Sequence, residues 1–341
     1  MAYQLTATTP ESLPEVAAFL RGVYQASSDS PNFDPALLAW KYYEPGPEWE
    51  GSRSFVLRKG DGIVAHGSVW PVRLATPSGT IMAVRVLDWA SSAPGMGVAL
   101  MNQIAKRADV VLGVGGSNDT LRVLPAMGFK QRGTARIYAR VLRPWRQFRT
   151  RTFDGSRALA RLLRNANWSR SSLASAAGWT STRSAPDRHF SFSDRTRDYP
   201  ESRHVAGFLE FMLRCPGAAI SYFSLSQNGV PRGYFLLSRV GGQCRLADLR
   251  ILSEQADDWI AAYSAAAHAA AQDPESCELI SYASVPVASQ ALEANGFRMR
   301  GDMPVLALDR RSLLGEPAHL QLAMLDDDSG YLNSPANPYC T

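Results

Sequence analysis

The octapeptide Ala126-Met127-Gly128-Phe129-Lys130-Gln131-Arg132-Gly133 returns near the other end of the chain as Ala294-Asn295-Gly296-Phe297-Arg298-Met299-Arg300-Gly301. A repeat of this kind means one supersecondary unit written twice. Other marks agree: Leu87-Asp88 has a counterpart in Ala247-Asp248, and the turn at Gly62 has one at Gly229. Each half reads as strand, helices, three antiparallel-type strands, helix, strand, helix, strand. The implied fold class is α/β (α+β), two tandem domains, each a mixed, mostly antiparallel sheet flanked by helices.

The chain has 341 residues, 45% of them hydrophobic, enough for two cores. No apolar run is long enough to span a membrane, and the N-terminus lacks a basic-then-apolar signal pattern. The expectation is a cytoplasmic protein. Its four cysteines show no C-x-x-C spacing, and neither they nor the five histidines form a metal-ligand pattern, so no metal is expected.

Gln4 to Thr8 predicts a strand, and Pro10 to Tyr24 a helix capped by Thr9. Asp34 caps a second helix carrying Leu37, Leu38 and Trp40. Arg53 to Arg58 and Ile63 to Leu74 are strands joined by the hairpin signal Lys59-Gly60-Asp61-Gly62. Thr80 to Trp89 is the next strand, and Arg136 to Leu142 the last of this half. In the second half, strands are expected at His189 to Phe192, Ala219 to Ser226, Gly233 to Val240, Cys244 to Leu252, Leu279 to Ala283 and Val305 to Leu308. Helices are expected at Arg203 to Leu213, Ala256 to Ala271 and Pro286 to Ala294. The expected organisation is 1–142, a linker over 143–188, 189–309, and a tail over 310–341 that caps the fold or is partly disordered.

One stretch carries chemistry. Val84 to Trp89 reads as a strand, Pro94-Gly95-Met96-Gly97 as a turn, and Val98, Met101, Ile104 and Ala105 have helical spacing. Val110 to Val114 is a further strand, followed by Asn118 at the mouth of a helix. Strand, glycine turn, helix, strand is a phosphate cradle: glycine lets the backbone approach an anion, and the N–H groups of the helix start point at it. The counterpart after Leu252 has Glu254, Asp257 and Asp258 and no glycine. Like charges there oppose a pyrophosphate.

Residues 143–200 are dense in arginine and serine. A helix is expected from Gly155 to Ala166, with Leu159, Leu162 and Leu163 on one face and Arg157, Arg161 and Arg164 on another. It reads as a solvated linker helix or as a basic surface for nucleic acid, acidic lipid or a protein partner. Few aromatics are interleaved, which argues against base stacking and leaves nucleic acid outside the expected partners.

This order of elements, with a glycine turn after the fourth strand and Gly-Phe after the last helix, resembles the GNAT N-acetyltransferase superfamily over most of both halves. The family's phosphate loop is Arg/Gln-x-x-Gly-x-Gly/Ala; here it is Ser92-Ala93-Pro94-Gly95-Met96-Gly97. One live and one dead copy resembles tandem-GNAT proteins, including the mycothiol-synthase and Fem-type aminoacyl transferase groups. Trp40-Lys41-Tyr42, Ala65-His66-Gly67 and Trp70-Pro71 are similar to GNAT-like proteins found near bacterial polysaccharide genes.

The resemblance implies acyl transfer from acetyl-CoA or another acyl-CoA to a small-molecule amine acceptor such as an amino sugar or amino acid derivative. It implies that Leu87 to Trp89 polarise the thioester, that Ser92, Gly95, Met96, Gly97, Val98 and Ala99 hold the pyrophosphate, and that Asn118 meets the pantetheine arm. It implies a tyrosine acid four residues before Gly128. That position is Leu124, which leaves Tyr138, water, or no transfer. Asp88 is the first candidate base, since a carboxylate in an apolar run is costly to bury; pairing with Arg85 or Arg122 is its structural explanation. His66 is the second candidate. Trp40, Trp70 and Trp89 are candidates for an acceptor pocket, or core. Two alternatives stand beside the enzyme: a degenerate scaffold that binds a partner or CoA without turnover, and a Fem-like aminoacyl transferase. The two halves are expected to satisfy each other as an internal pseudo-dimer in a monomer.

Overall fold

Asp34 shows how local chemistry starts an element. Its carboxylate accepts from the N–H groups of Ala36 (2.9 Å) and Leu37 (3.2 Å), and Pro35 takes the first helical position. The computed structural model describes residues 3–46, 48–150, 155–187, 198–315, 319–332 and 339–341. In chain order the elements are β1 (Gln4–Ala7), α1 (Leu13–Tyr24), α2 (Pro35–Tyr42), β2 (Ser54–Lys59), β3 (Gly62–Thr76), β4 (Gly79–Ser91) and α3 (Met96–Ile104). Then come β5 (Val110–Val114), α4 (Asn118–Ala126), β6 (Lys130–Val141), α5 (Pro144–Arg149), α6 (Gly155–Trp168), β7 (Trp179–Arg183), β8 (Glu201–Ser202) and α7 (Ala206–Leu213). The rest are β9 (Ala219–Gln227), β10 (Val230–Val240), β11 (Gln243–Ile251), α8 (Ala256–Gln272), β12 (Glu278–Ala283), α9 (Pro286–Ala294) and β13 (Arg298–Asp309).

The chain divides into two compact units. The first comprises Met1–Gly133, Thr196–Gly217 and Pro304–Leu320. Its sheet runs β1-β2-β3-β4-β5 and ends on the last part of β13. All pairs are antiparallel except β4–β5. One core packs Phe55, Val69, Leu100, Ile104, Val111, Leu124, Phe129, Leu306 and Leu308 together. Another joins Val16, Leu20, Phe33, Leu38 and Tyr42. Phe211 of α7 stacks on Trp40 (4.6 Å between ring centroids) and lies tilted beside Trp70 (5.8 Å).

The second unit comprises Thr134–Arg195, Ala218–Met303 and Gln321–Thr341. Its sheet runs from the later part of β6 through β12, β11, β10 and β9 to β7. Trp259, Tyr263 and the alanines of α8 bury one face.

Several expectations are corrected. The closing strands are exchanged: Arg136 to Leu142 was expected to finish the first half, yet Arg136 to Val141 pair with β12 of the second unit. Val305 to Asp309, from the far end of the chain, pair with β5 of the first. Strand propensity is local but choice of partner is not, so a strand's composition does not say which sheet it joins. The expected helix from Arg203 is α7 and belongs to the first unit. The expected linker over 143–188 is folded into the second unit as α5, α6 and β7. Its polar composition conceals satisfied burial: Gln147 Nε2 donates to the Thr341 hydroxyl (2.9 Å), and Asn165 Nδ2 donates to Gln147 Oε1 (2.8 Å). The tail is largely buried where described, with Leu325, Tyr331 and Thr341 all inaccessible. The strand expected at His189 to Phe192 lies outside the described residues.

Candidate active site

β3 and β4 pair in register from Thr76 opposite Gly79 to Ser68 opposite Leu87; the register then shifts, and His66 faces Ala90. The extra residue produces a bulge on β4 where Asp88 takes φ +47°. A non-glycine residue there costs about 1–3 kcal/mol and persists only where its surroundings hold it. Asp88 Oδ2 receives Lys41 Nζ (2.8 Å) and the Tyr42 hydroxyl (2.8 Å). The Ser68 hydroxyl is shared between Leu87 O (3.1 Å) and Asp88 Oδ2 (3.3 Å). The backbone carbonyl of Asp88 accepts from His66 Nδ1 (3.0 Å). A carbonyl can only accept, so Nδ1 carries the ring proton and Nε2 accepts from the Ser54 hydroxyl (2.9 Å).

Lys41 is nearly inaccessible, at 1% exposure. The end of α2 that bears it is clamped by Arg53, whose guanidinium donates to the carbonyls of Trp40, Lys41 and Glu44. Burial pushes the Asp88 pKa up, but Lys41, with His66 and Tyr42, outweighs it and holds the carboxyl below its ordinary range. Burial pushes the His66 pKa down and keeps the ring neutral. Asp88 Oδ1 has no partner among the described residues, and the side chain is 12% exposed.

Beside the bulge the sheet opens. β4 and β5 pair only through Ala83–Val110, Val84–Val111 and Arg85–Leu112. Beyond Arg85 the edge of β4 that faced β5 has no strand partner among the described residues. Arg85 Nη2 donates to Val114 O (3.2 Å) at the base of this opening. The turn after β4 leads into α3 through Gly95, at φ +76°, the left-handed region that favours glycine. No side chain caps α3, and its first turn holds no carboxylate. The N–H groups of Gly97 and Val98 find no acceptor among the described residues, whereas Met96 and Ala99 donate to Ala93 and Gly95. A Cβ at Gly97 would lie 3.2 Å from Trp89 Nε1, which donates to Gly97 O (2.9 Å). The indole therefore fixes the helix start against the strand.

The structure gathers Asp88, His66, Leu87, Trp89, Gly95, Met96, Gly97, Val98 and Ala99 on β3, β4 and α3 of one unit. Asn118 is the exposed first residue of α4, capped by Ser117. Ser92 is tied down: its N–H (3.0 Å) and hydroxyl (3.4 Å) both reach Val64 O. Tyr138 is not brought into this group. It lies buried in the second unit, donating to Glu293 Oε1 (2.8 Å). Leu124 is core, packed toward Gly113. Trp40 and Trp70 are core as well, at 2% and 1% exposure. Neither arginine expected beside Asp88 is its partner, since Arg122 pairs with Asp119 and Arg85 reaches Val114. Lys41 and Tyr42 were missed. Their only sequence signal was a lysine between two aromatics in a helix, Trp40-Lys41-Tyr42.

The second unit has a register shift at the comparable place, with Ala247 as the extra residue and Asp248 paired opposite Leu236. β10 and β11 shift register between Leu236 and Leu237, and β11 pairs with β12 only from Gln243 to Leu246. Asp248, the counterpart of Asp88, is fully enclosed: Tyr234 donates to Oδ2 (2.8 Å) and Arg250 to Oδ1 (2.8 Å). The opening beyond Leu246 is lined by Gln321, Leu322, Ala323 and Met324, leaving a cavity of about 20 Å³, room for one water. Leu322 N–H donates to the Ser284 hydroxyl (2.9 Å), which points back at Leu322 O. Asp257 and Asp258 occupy the first turn of α8.

No group of residues that could hold a metal occurs among the described residues, and no described helix is long and apolar enough to cross a membrane. No protein-family model and no curated protein sequence matches the chain. Solved structures do. A GCN5-related N-acetyltransferase from Anabaena variabilis superposes with a TM-score of 0.59 at 9% identity, covering 90% of this chain and 73% of that one. A GCN5-related N-acetyltransferase from Kribbella flavida gives 0.51 at 12%, covering 90% and 71%. Saccharomyces cerevisiae N-myristoyltransferase with bound myristoyl-CoA gives 0.60 at 13%, covering 90% and 78%. The chain has the fold of the GCN5-related N-acetyltransferases.

Proposed function

We propose that the chain is an N-acyltransferase that moves an acetyl or other acyl group from coenzyme A to an amine, with the thioester substrate held by the first unit. One conjunction carries the reading. A bulge at Asp88, the parting of β4 from β5 beyond Arg85, and a helix start with unengaged N–H groups follow one another on a single strand-turn-helix. Similarity in fold to N-acetyltransferases, and to an N-myristoyltransferase holding myristoyl-CoA, supports acyl-CoA as the substrate.

In this reading the N–H groups of Gly97 and Val98, flanked by Gly95, Met96 and Ala99, take the pyrophosphate at the positive end of α3. Asn118 meets the pantetheine arm. Main-chain N–H from Leu87 to Trp89, on the unpaired edge of β4, stabilises the oxyanion that forms when the amine adds to the thioester carbonyl. The bound ammonium must give one proton to solvent before it attacks, the adduct gives up a second, and collapse of the tetrahedral intermediate breaks the C–S bond and expels the thiolate. Asp88 stays charged throughout the neutral range, so its open Oδ1 attracts the acceptor as an ammonium and orients it. Its lowered pKa makes it a better anchor than base. His66 acts through Asp88: both ring nitrogens are engaged, and it holds the bulge. With Leu124 in the core, the thiolate is reprotonated by solvent. The acceptor is a small amine, such as an amino sugar or amino acid derivative.

A second reading, a scaffold that binds CoA without turnover, is favoured by Leu124 and by the full engagement of His66. Thiol release from acetyl-CoA over a panel of amino sugars and amino acids separates the two. The enzyme reading expects amine-dependent release that Asp88→Asn abolishes while CoA still binds. CoA binding without release from any amine leaves the scaffold, and no CoA binding removes both.

A further inference from the structure

The arginine-rich segment of the second unit is not used by the proposed chemistry. α5 and α6 contain no acidic residue and carry Arg146, Arg149, Arg157, Arg161 and Arg164. Among the described residues few large apolar side chains are exposed, and three of them lie here: Trp145 (54%), Leu159 (56%) and Leu163 (64%). Leu159 and Leu163 are one turn apart, so they share a face. The helix is held from the opposite side, where Ala158 and Asn165 are buried and Gln147 of α5 receives Asn165. Arg157 is exposed and has no ion pair among the described residues. Arg149 lies over the Trp145 ring (5.1 Å), which places a cation at the edge of an exposed indole. Arg146 pairs with Glu275 and Arg161 donates to Thr341 O, whereas Arg149 and Arg157 are exposed and meet no carboxylate among the described residues.

We propose that α5 and α6 form a docking surface for an anionic lipid bilayer. The charge is complementary to such a surface, and each arginine near it adds to attraction. The exposed residues are a tryptophan and two leucines, the side chains that seat an amphipathic helix at the headgroup boundary. Nucleic acid fits less well: the guanidinium groups suit phosphates, but leucines have no flat face on which to stack a base. The surface is independent of acyl transfer, so its test does not depend on that activity.

The experiment is cosedimentation of the full chain with phosphatidylcholine vesicles, with and without phosphatidylserine, at low and high salt. The expected result is binding only to phosphatidylserine vesicles, weakened by salt. The Leu159→Gln/Leu163→Gln double variant, which keeps every charge, should bind roughly tenfold or more weakly. Arg157→Gln, a milder exposed change, should weaken binding severalfold and serves if the double variant fails to fold by circular dichroism. Absence of binding overturns the proposal, as does equal binding to both vesicle types. Binding of a single-stranded RNA oligomer in place of vesicles overturns it in favour of nucleic acid. Binding untouched by the variants also overturns it.

Discussion

The two units contain the same opening in a sheet, and they treat it in opposite ways. In both, a register shift and an aspartate lie just beyond the point where the central strand parts from its parallel neighbour, Asp88 at the bulge itself and Asp248 beside it, paired opposite Leu236. In the first, Asp88 keeps one oxygen without a partner among the described residues, and the next helix starts on glycines with two N–H groups that likewise find no acceptor there. In the second, Asp248 is paired on both oxygens, α8 starts on two aspartates, and the chain's own residues 321–324 line the opening. A backbone segment has the same amide donors and acceptors that an extended amide-bearing ligand would offer. The second unit is thus a cleft satisfied from within, and on the proposed function the first is a cleft left for a ligand. The lesson is that the fold supplies the opening, while the helix start and the aspartate's partners decide whether it is a site.

The largest expected effect separates the two aspartates. Asp88→Asn should lower acyl transfer by about 10²-fold through lost positioning of the acceptor and cost about 3–5 kcal/mol of stability, because Lys41 is left buried without its anion. Adding Lys41→Met should recover much of the stability, read by urea unfolding, and none of the rate. Asp248→Asn should destabilise the chain but leave the rate constant of the folded fraction unchanged. A matching loss of rate in that variant would erase the distinction between the units.

Next in size is the plug. Leu322→Asp places a second carboxylate at a buried position in the cavity that already holds Asp248, and should cost about 3 kcal/mol. It should not create a second coenzyme A site, since Asp257 and Asp258 still repel phosphate. Equilibrium dialysis showing extra bound ligand would contradict this. A smaller effect is expected from Leu124→Tyr. Overpacking of the core should cost about 1–3 kcal/mol, with no gain in the rate of thiol release, because the position faces the core.

The smallest effect is with pH. Both His66 and Asp88 have pKa values lowered by folding. For each, the unfolded chain binds protons first, so stability falls as pH drops below the group's unfolded value. The His66 loss begins below about pH 6.5 and the Asp88 loss below about pH 4. Urea midpoints for His66→Gln should lack the first step. A first step that persists in that variant would assign it elsewhere.

Much of this was legible in the residues. Val110–Val114 and Pro286–Ala294 have the bounds that their apolar spacing predicts. The cap at Asp34 and the hairpin at Gly60 follow from short-range chemistry that any unfolded peptide already contains. The uncapped start of α3 was visible because Gly95 and Gly97 mark a turn from strand into helix. What stayed hidden depends on distant partners. Lys41 and Tyr42 reach Asp88 only after α2 folds over the sheet, and nothing in Trp40-Lys41-Tyr42 announces an ion pair. The exchange of closing strands is invisible because Ile137 and Leu306 would suit either sheet. Residues 143–188 read as a linker because their burial uses Ala158, Gln147 and Asn165, side chains that carry no apolar periodicity.

The central claim is that one unit binds acyl-CoA and the other cannot. Calorimetric titration of the full chain with coenzyme A tests it most directly. The account predicts one molecule bound per chain, with affinity reduced roughly hundredfold by Gly97→Glu, which sets a carboxylate at the start of α3 and crowds Trp89. Two molecules per chain, or one whose affinity Gly97→Glu leaves unchanged, would contradict it.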